Sequence, residues 1–254
     1  MTITHLSPSP TRVTIHQPNL FPRHKVIQKL AAADIWIVLD DVQFAKREWQ
    51  NRCMIVPDHG THTPHWLTLP VRLPRGQATL INEVGLVDST EALQVARTSV
   101  VNAYRHSAGW ECAQRLVLSA LQSDDDSLTQ VCVRSTLALL AGAGAAPTVY
   151  YASELALPPG DPSDRIAALT ELVGGDEYLC DSGGANYLKL DSFTERDIAV
   201  KWQNWQEPSP SFADCTPSRN ISALNLMVRD MDRYATLTRS SQWSDSRDVY
   251  ALAS

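Results

Sequence analysis

Residues 12–52 read RVTIHQPNLFPRHKVIQKLAAADIWIVLDDVQFAKREWQNR, and the punctuation of this stretch decides the fold. Residues 13–15 and 35–39 are short runs of β-branched or bulky side chains bounded by polar residues or proline, the pattern of buried strands. Between them Val26, Ile27, Leu30 and Ala33 recur at helical spacing, with Lys25, Gln28 and Lys29 turned elsewhere. A strand–helix–strand unit follows, and in such units neighbouring parallel strands open their C-terminal ends onto one crevice, where ligands bind. His16, Gln17, Pro18 and Asn19 follow the first strand, and Asp40, Asp41, Val42, Gln43 and Phe44 the second. They are expected to share a site.

Working outward, REWQNRCMIV, HWLTLPVRL and TLINEVGLV read as strands joined by turns, because Trp, Ile, Val, Leu and Thr dominate and Pro and Gly punctuate them. ALQVARTSVVNAYR, CAQRLVLSALQ and SLTQVCVRSTLALLAG then carry helix-period apolar stripes, with SDDDSL as an acidic helix start before the third. Strand character returns at PTVYYASEL, a short helix at DRIAALTELVG, and further strands at DEYLC and IAVKWQNWQ, the Gly-Gly turn after DEYLC leading towards a helix. The expected class is α/β, a mixed and mainly parallel sheet with flanking helices and an inserted helical layer. The expected division is an N-terminal α/β part over 12–88, a helical layer over 89–146, and a C-terminal α/β part over 147–206 completing the same domain. An extension over 207–254 holds one helical stretch, ISALNLMVRDMDRYATL, and is poorly ordered from residue 240.

With 254 residues and 44% apolar content, the chain can bury a substantial core. No apolar run approaches the roughly 20 residues needed to span a bilayer, and the opening MTITHLSPSPTR has no apolar h-region, so a cytoplasmic location without membrane contact is expected. A net charge of −6 and a pI near 5.6 argue against broad nucleic-acid binding. A local patch of Lys46, Arg47 and Arg52 could still hold one anion, and a tRNA-borne donor stays open. The five cysteines are scattered, without a C-x-x-C pair, and read as reduced, packed thiols. His59, His62 and His65 in HGTHTPH have a metal-like spacing, but the surrounding Gly and Pro indicate a solvated loop, and no metal is expected. No P-loop, G-x-G-x-x-G or G-x-S-x-G is present.

The blocks HQPNLFP, ADIWIVLDDVQFAKREWQNR, HWLTLPV, ASEL, DEYLCDSGGANYL with DSF, and IAVKWQ, spread over residues 13–203, resemble the WbqC-like proteins of bacterial polysaccharide gene clusters. The resemblance implies a setting among enzymes that build amino sugars, glycans or secondary metabolites, with no single established reaction. The chain departs from the family's usual patterns in places. Leu20 replaces a Tyr, the Trp and Lys-His near residues 93–97 are absent, EPSPSF replaces an aromatic Pro-x-Tyr-x-Gln block, and Asn225 stands where Asp is usual. These departures point to a divergent member on a different substrate.

His16, at a strand end, is a candidate general base or anion donor, or else a packed histidine at a helix start. Asn19 is a helix cap or a reader of a ligand amide. Asp40 and Asp41 are the other catalytic candidates. Because strand side chains alternate, one faces the crevice to orient His16, hold a hydroxyl or amine, or bind magnesium through a nucleotide, while the other fixes a turn or pairs with Arg47 or Arg52. Gln17, Gln43, Gln50, Asn51 and Tyr187 are neutral substrate-binding candidates, Gln50 and Asn51 because they break the alternation of a strand-like run. Arg52 is the anion clamp, with Lys25 and Lys46 behind it or simply solvated. Ser182 and Gly183, with Gly184, form either a backbone nest for phosphate or a plain turn. Cys53 and Cys180 are weighed as nucleophiles, although the resemblance carries no shared cysteine.

Two function classes follow. The first is a transferase or ligase that joins an acyl or aminoacyl group to an amine, with His16 taking the amine proton and Arg52 holding an anionic donor. Its cofactor is unknown; ATP with magnesium, or an activated acyl donor, would serve. A strand ending in His, a helix and a strand ending in acidic residues also resembles nucleotide-binding ligases of the pantothenate synthetase kind, although the second His of their His-x-Gly-His pattern is not matched. The second class is a non-catalytic binder of a sugar nucleotide or partner protein using the same crevice. A Cys53-dependent hydrolase or cyclase is a third alternative.

Overall fold

The computed structural model describes residues 9–58, 63–122, 126–157, 160–181, 183–205 and 220–245. The calls on His59, His62, Ser182 and EPSPSF lie outside the described residues. The chain is α/β, built on a mixed, mainly parallel six-stranded sheet. β1 (Arg12–His16), α1 (His24–Ala31) and β2 (Ile35–Val38) form the expected unit, with Val13 against Ile35 and His16 against Val38 in parallel register. Beyond β2 come the hairpin of β3 (Arg52–Ile55) and β4 (His65–Thr68), the small pair β5 (Val71–Arg72) and β6 (Gly85–Leu86), and three helices: α2 (Ser89–Tyr104), α3 (Trp110–Ala120) and α4 (Leu128–Gly142). The chain re-enters the main sheet as β7 (Thr148–Tyr151), parallel to β2.

α5 (Pro162–Leu172) starts cleanly because the Asp161 carboxylate accepts from the N–H groups of Ser163 and Asp164, with proline in the first turn. It carries the chain back across the sheet, so that β8 (Glu177–Cys180) pairs with the far side of β1. The short α6 (Asp191–Thr194) leads to β9 (Ala199–Asn204), parallel to β8. Numbered by their order in the chain, the five parallel strands run 3-2-1-4-5 across the sheet. This is the doubly wound order, and its reversal between β1 and β8 leaves a crevice at their carboxyl ends.

Alternation along the strands sends side chains into two cores. Val13, Ile15, Ile37, Tyr178 and Cys180 pack with Ile166, Leu169 and Phe193 from α5 and α6. Trp36 and Val38 pack on Val26, Ile27 and Leu30 of α1, in a larger core shared with α2, α3 and α4. His16 has the parity of Thr14 and so faces the α1 side, opposite to Ile15.

The structure departs from the sequence reading at several points. Gln28 and Lys29 are 9% and 2% exposed, because α1 is covered on more than its apolar stripe; Gln28 donates to the carbonyl of Leu237. Gln50 and Asn51 lie in the bend before β3, so they do not break a strand's alternation. TLINEVGLV is mostly a 3-10 turn (Ile81–Glu83) followed by two-residue β6. The C-terminal helical stretch is two helices, α7 (Leu224–Met227) and α8 (Met231–Arg239), split where Asp230 turns extended to cap the second. Residues 242–244, expected to be poorly ordered, form β10 (Gln242–Ser244), the one antiparallel strand of the main sheet, on the edge beside β9.

Candidate functional site

At the reversal point the carboxyl ends of β1 and β8 open into a crevice of about 350 Å³, within the range typical of small-molecule sites. Its centre is a buried charge cluster. Lys29 rises from α1 with its side chain 3% exposed, and Asp181 follows the last residue of β8. The three ammonium hydrogens meet three acceptors: Asp181 Oδ2 at 3.0 Å, His16 Nδ1 at 3.3 Å and the Ile15 carbonyl at 3.4 Å. The other carboxylate oxygen, Asp181 Oδ1, accepts from the Gly183 N–H at 2.8 Å. Lys29 holds the Asp181 carboxyl well below the usual carboxylate range, against the opposing effect of burial.

This cluster sets the state of His16. Burial, and then the neighbouring Lys29 ammonium, push its imidazole down to about 3. The ring is therefore neutral at physiological pH. Since Lys29 donates to Nδ1, the ring proton sits on Nε2. Asn19 Nδ2 lies 3.2 Å from Nε2, and a ring protonated there requires the Asn19 amide turned to present its oxygen, so amide orientation and tautomer are one choice. A neutral ring of this kind donates a hydrogen bond well and accepts a proton poorly, which corrects the expectation that His16 acts as a general base.

Two loops wall the crevice. Residues 17–22 follow β1 and residues 45–51 precede β3; the Leu20 N–H donates to the Trp49 carbonyl and Gln50 Nε2 donates to Gln17 Oε1 at 2.8 Å. Each loop has a residue in the left-handed region, Phe21 at φ 37° and Arg47 at φ 68°. Side chains rarely adopt that conformation, and such strain gathers at functional sites. Arg23 lines the crevice with its guanidinium carbon 4.7 Å from the centre of the Trp49 ring. It makes no ion pair among the described residues. Burial lowers the pKa of both Arg23 and Lys25, with Asp181 acting in the opposite sense on each. They are desolvated cations, and such groups favour an anion.

The structure gathers some sequence candidates here and disperses others. His16, Gln17, Asn19, Gln50, Gly183 and the half-exposed Tyr187 line the crevice, and Lys25 is close enough to act on Asp181 and His16. Asp40 and Asp41 are not brought to His16. Asp40 is buried and braces the end of β7, accepting from Ser153 N at 3.0 Å and Ser153 Oγ at 2.8 Å. Asp41 pairs with Arg165 of α5 instead of Arg47 or Arg52. The chain leaves β2 towards β7 and α5, away from the β1–β8 reversal. Arg52 is not the crevice clamp; it donates to the carbonyls of Arg47 and Glu48 and lies over Trp66, 4.1 Å from the ring centre. Asn51 Nδ2 donates to the Leu69 carbonyl. Gln43 donates to the Gln77 carbonyl beside a separate 320 Å³ hollow that Lys46 also lines. The Gly183 N–H does not form an open phosphate nest, because the Asp181 carboxylate already occupies it.

Sequence reading missed Lys29, Asp181 and Arg23. Asp181 follows the apolar run EYLC as His16 follows RVTI, so the rule that found one could have found the other. A 420 Å³ hollow elsewhere is lined by the exposed Arg72–Asp126 pair and lies away from the strand ends. Cys53 is 1% exposed with its thiol pushed above the usual range by burial, and Cys180 is pushed up to about 12, so neither has the character of a nucleophile. Among the described residues no three His, Cys, Asp or Glu side chains group as metal ligands, and no helix is long and apolar enough to cross a membrane.

Comparison with known proteins identifies the family. The WbqC-like family model matches residues 17–229, which takes in four of the six main-sheet strands and most of the crevice lining but begins just after His16. An uncharacterised protein of Mycobacterium tuberculosis, Rv1507c, is 26% identical over 192 residues, 75% of this chain and 81% of its own length. No solved structure matches. On the breadth of the family match, the chain belongs to the WbqC-like protein family.

Proposed function

We propose that this chain is a biosynthetic transferase or ligase that holds an anionic small molecule in the β1–β8 crevice and forms an amide by passing an acyl or aminoacyl group to an amine. The observation that carries the anion is Arg23, a partly buried guanidinium that lines the crevice against the Trp49 ring and is in no ion pair among the described residues. The amine and the amide rest on the setting that the family resemblance implies. In this reading His16 does not take the amine proton. Its Nε2–H exchanges the Asn19 amide for the acyl oxygen as charge develops there, a role that suits a neutral imidazole. Glu48, an exposed carboxylate on the crevice wall in no ion pair among the described residues, is the group this reading assigns to take the amine proton, while the donor's carrier group leaves with its bonding electrons.

A second reading, a non-catalytic binder of the same anion, is favoured by one observation. His16 and Asp181 are both held well below neutrality, so neither is poised for proton transfer near pH 7. A thermal-shift screen against ATP with magnesium, nucleotide sugars, acyl-CoAs and aminoacyl donors tests the shared claim, since a ligand at a hundredfold excess over Kd adds about 2.7 kcal/mol of stability. Hits are then incubated with amines and examined for amide by mass spectrometry. A shift that Arg23→Ala abolishes, followed by amide, supports the enzyme; the shift without amide supports the binder. No shift from any class removes both.

A further inference from the structure

We infer that the anion held at Arg23 is the phosphate end of a nucleotide whose base stacks on Tyr187 across the crevice. This deepens the anion-binding reading above and rests on it. The crevice has two unlike halves. Alternation along β1 turns His16 towards α1 and Ile15 towards α5. The α1 half is polar, with His16, Asn19, Arg23 and Lys29, whereas the other half is walled by Ile15, Leu39 and Ile166, all of them part of the α5 core. Tyr187 closes this apolar half. It follows the 3-10 turn Gly184–Asn186 after β8, and its carbonyl accepts from Ser163 Oγ of α5 at 3.5 Å.

The occupant has to match both halves. A sugar phosphate carries hydroxyls throughout, and those laid against Ile15, Leu39 and Ile166 would lose water without gaining a partner. Tyr187 gives the shape of the second end. It is 55% exposed, stands outside both apolar cores and lines the crevice. An aromatic ring left open beside apolar walls offers a stacking surface, and a nucleobase is a flat, uncharged ring that stacks on it. Arg23 belongs to the α1 face of the sheet and Tyr187 to the α5 face. Phosphate and ring must therefore be joined through a spacer, as ribose joins them in a nucleotide.

Calorimetry on the full chain with ribose 5-phosphate, AMP, UMP and hexyl phosphate tests this. AMP and UMP are expected to bind about tenfold more tightly than ribose 5-phosphate, near the lower end of what a stacked base contributes. Tyr187→Leu should bring both nucleotides down to the ribose 5-phosphate value. Tyr187→Phe keeps the ring and should keep their advantage, which separates lost stacking from a misfolded leucine variant. Nucleotides no tighter than ribose 5-phosphate in the wild type, an advantage that survives Tyr187→Leu, or hexyl phosphate tighter than both nucleotides overturns this inference and leaves the anion site standing. If none of these phosphates binds, the anion site fails and this inference fails with it.

Discussion

Replacing Lys29 with methionine keeps the length of the side chain and removes its charge from a place where only 3% of it reaches solvent. Asp181, 23% exposed, would then keep its charge with the Gly183 N–H as a hydrogen-bond donor and Lys25 as a more distant cation. Breaking a buried ion pair from one side costs about 3–5 kcal/mol. For a chain of this size each kcal/mol is worth roughly 2–4 °C, so Lys29→Met should melt about 6–20 °C below the wild type. Adding Asp181→Asn removes the stranded charge, and because a buried pair can be replaced whole at little cost, the double variant should recover most of the loss. His16 supplies a second readout: without the ammonium its pKa should rise, since the second cause of its depression is gone and the raising effect of Asp181 remains. Urea unfolding of the three proteins, with the His16 ring followed by NMR across pH, measures both. A single variant within about 1 kcal/mol of wild type, or a double variant no better than the single, refutes the charge cluster at the crevice floor.

Acid should weaken the fold earlier than carboxylates alone would. His16 and His24 are held down to about 3 and about 4 against an unfolded value of 6.5, so the unfolded chain binds protons that the native state refuses. Stability is then complete above pH 6.5 and falls below it, by about 1.4 kcal/mol per pH unit for each histidine; a urea midpoint unchanged between pH 7 and pH 5 would contradict this. Asp40→Asn should cost about 1–3 kcal/mol through its lost bonds to Ser153 while leaving ligand affinity unaltered, so a collapse of binding with stability intact would restore Asp40 to the site. In the native state an alkylating reagent followed by mass spectrometry should label exposed Cys112 and spare Cys53, Cys132 and Cys180; rapid labelling of Cys53 would reopen the thiol mechanism.

The strands and helices nearest the crevice were legible because their signals are local. Apolar runs bounded by polar residues gave β1, β2, β8 and β9, whereas the helix read at DRIAALTELVG starts two residues earlier, at Pro162 behind the Asp161 cap. Which strands become neighbours is a long-range matter. Nothing local says that β8 pairs with β1, 165 residues away by the separation of Arg12 and Glu177, so the reading put the crevice between β1 and β2 and enlisted Asp40 and Asp41. His16 was found because it lies at the reversal in either arrangement. Lys29 was passed over because helical periodicity treats a lysine beside an apolar stripe as solvated, whereas a long stem can bury itself when three acceptors await the ammonium. Arg52 drew attention by its charge, yet its guanidinium is taken up by two carbonyls and an indole.

The central claim is that the ligand lies between β1 and β8, and a titration with inorganic phosphate and then ribose 5-phosphate, followed by NMR, tests it directly. The Trp49 indole and His16 ring signals should move together and saturate in the wild type, and stay still in Arg23→Ala. Movement confined to the hollow by Gln43 and Gln77, or no difference between wild type and Arg23→Ala, would contradict it.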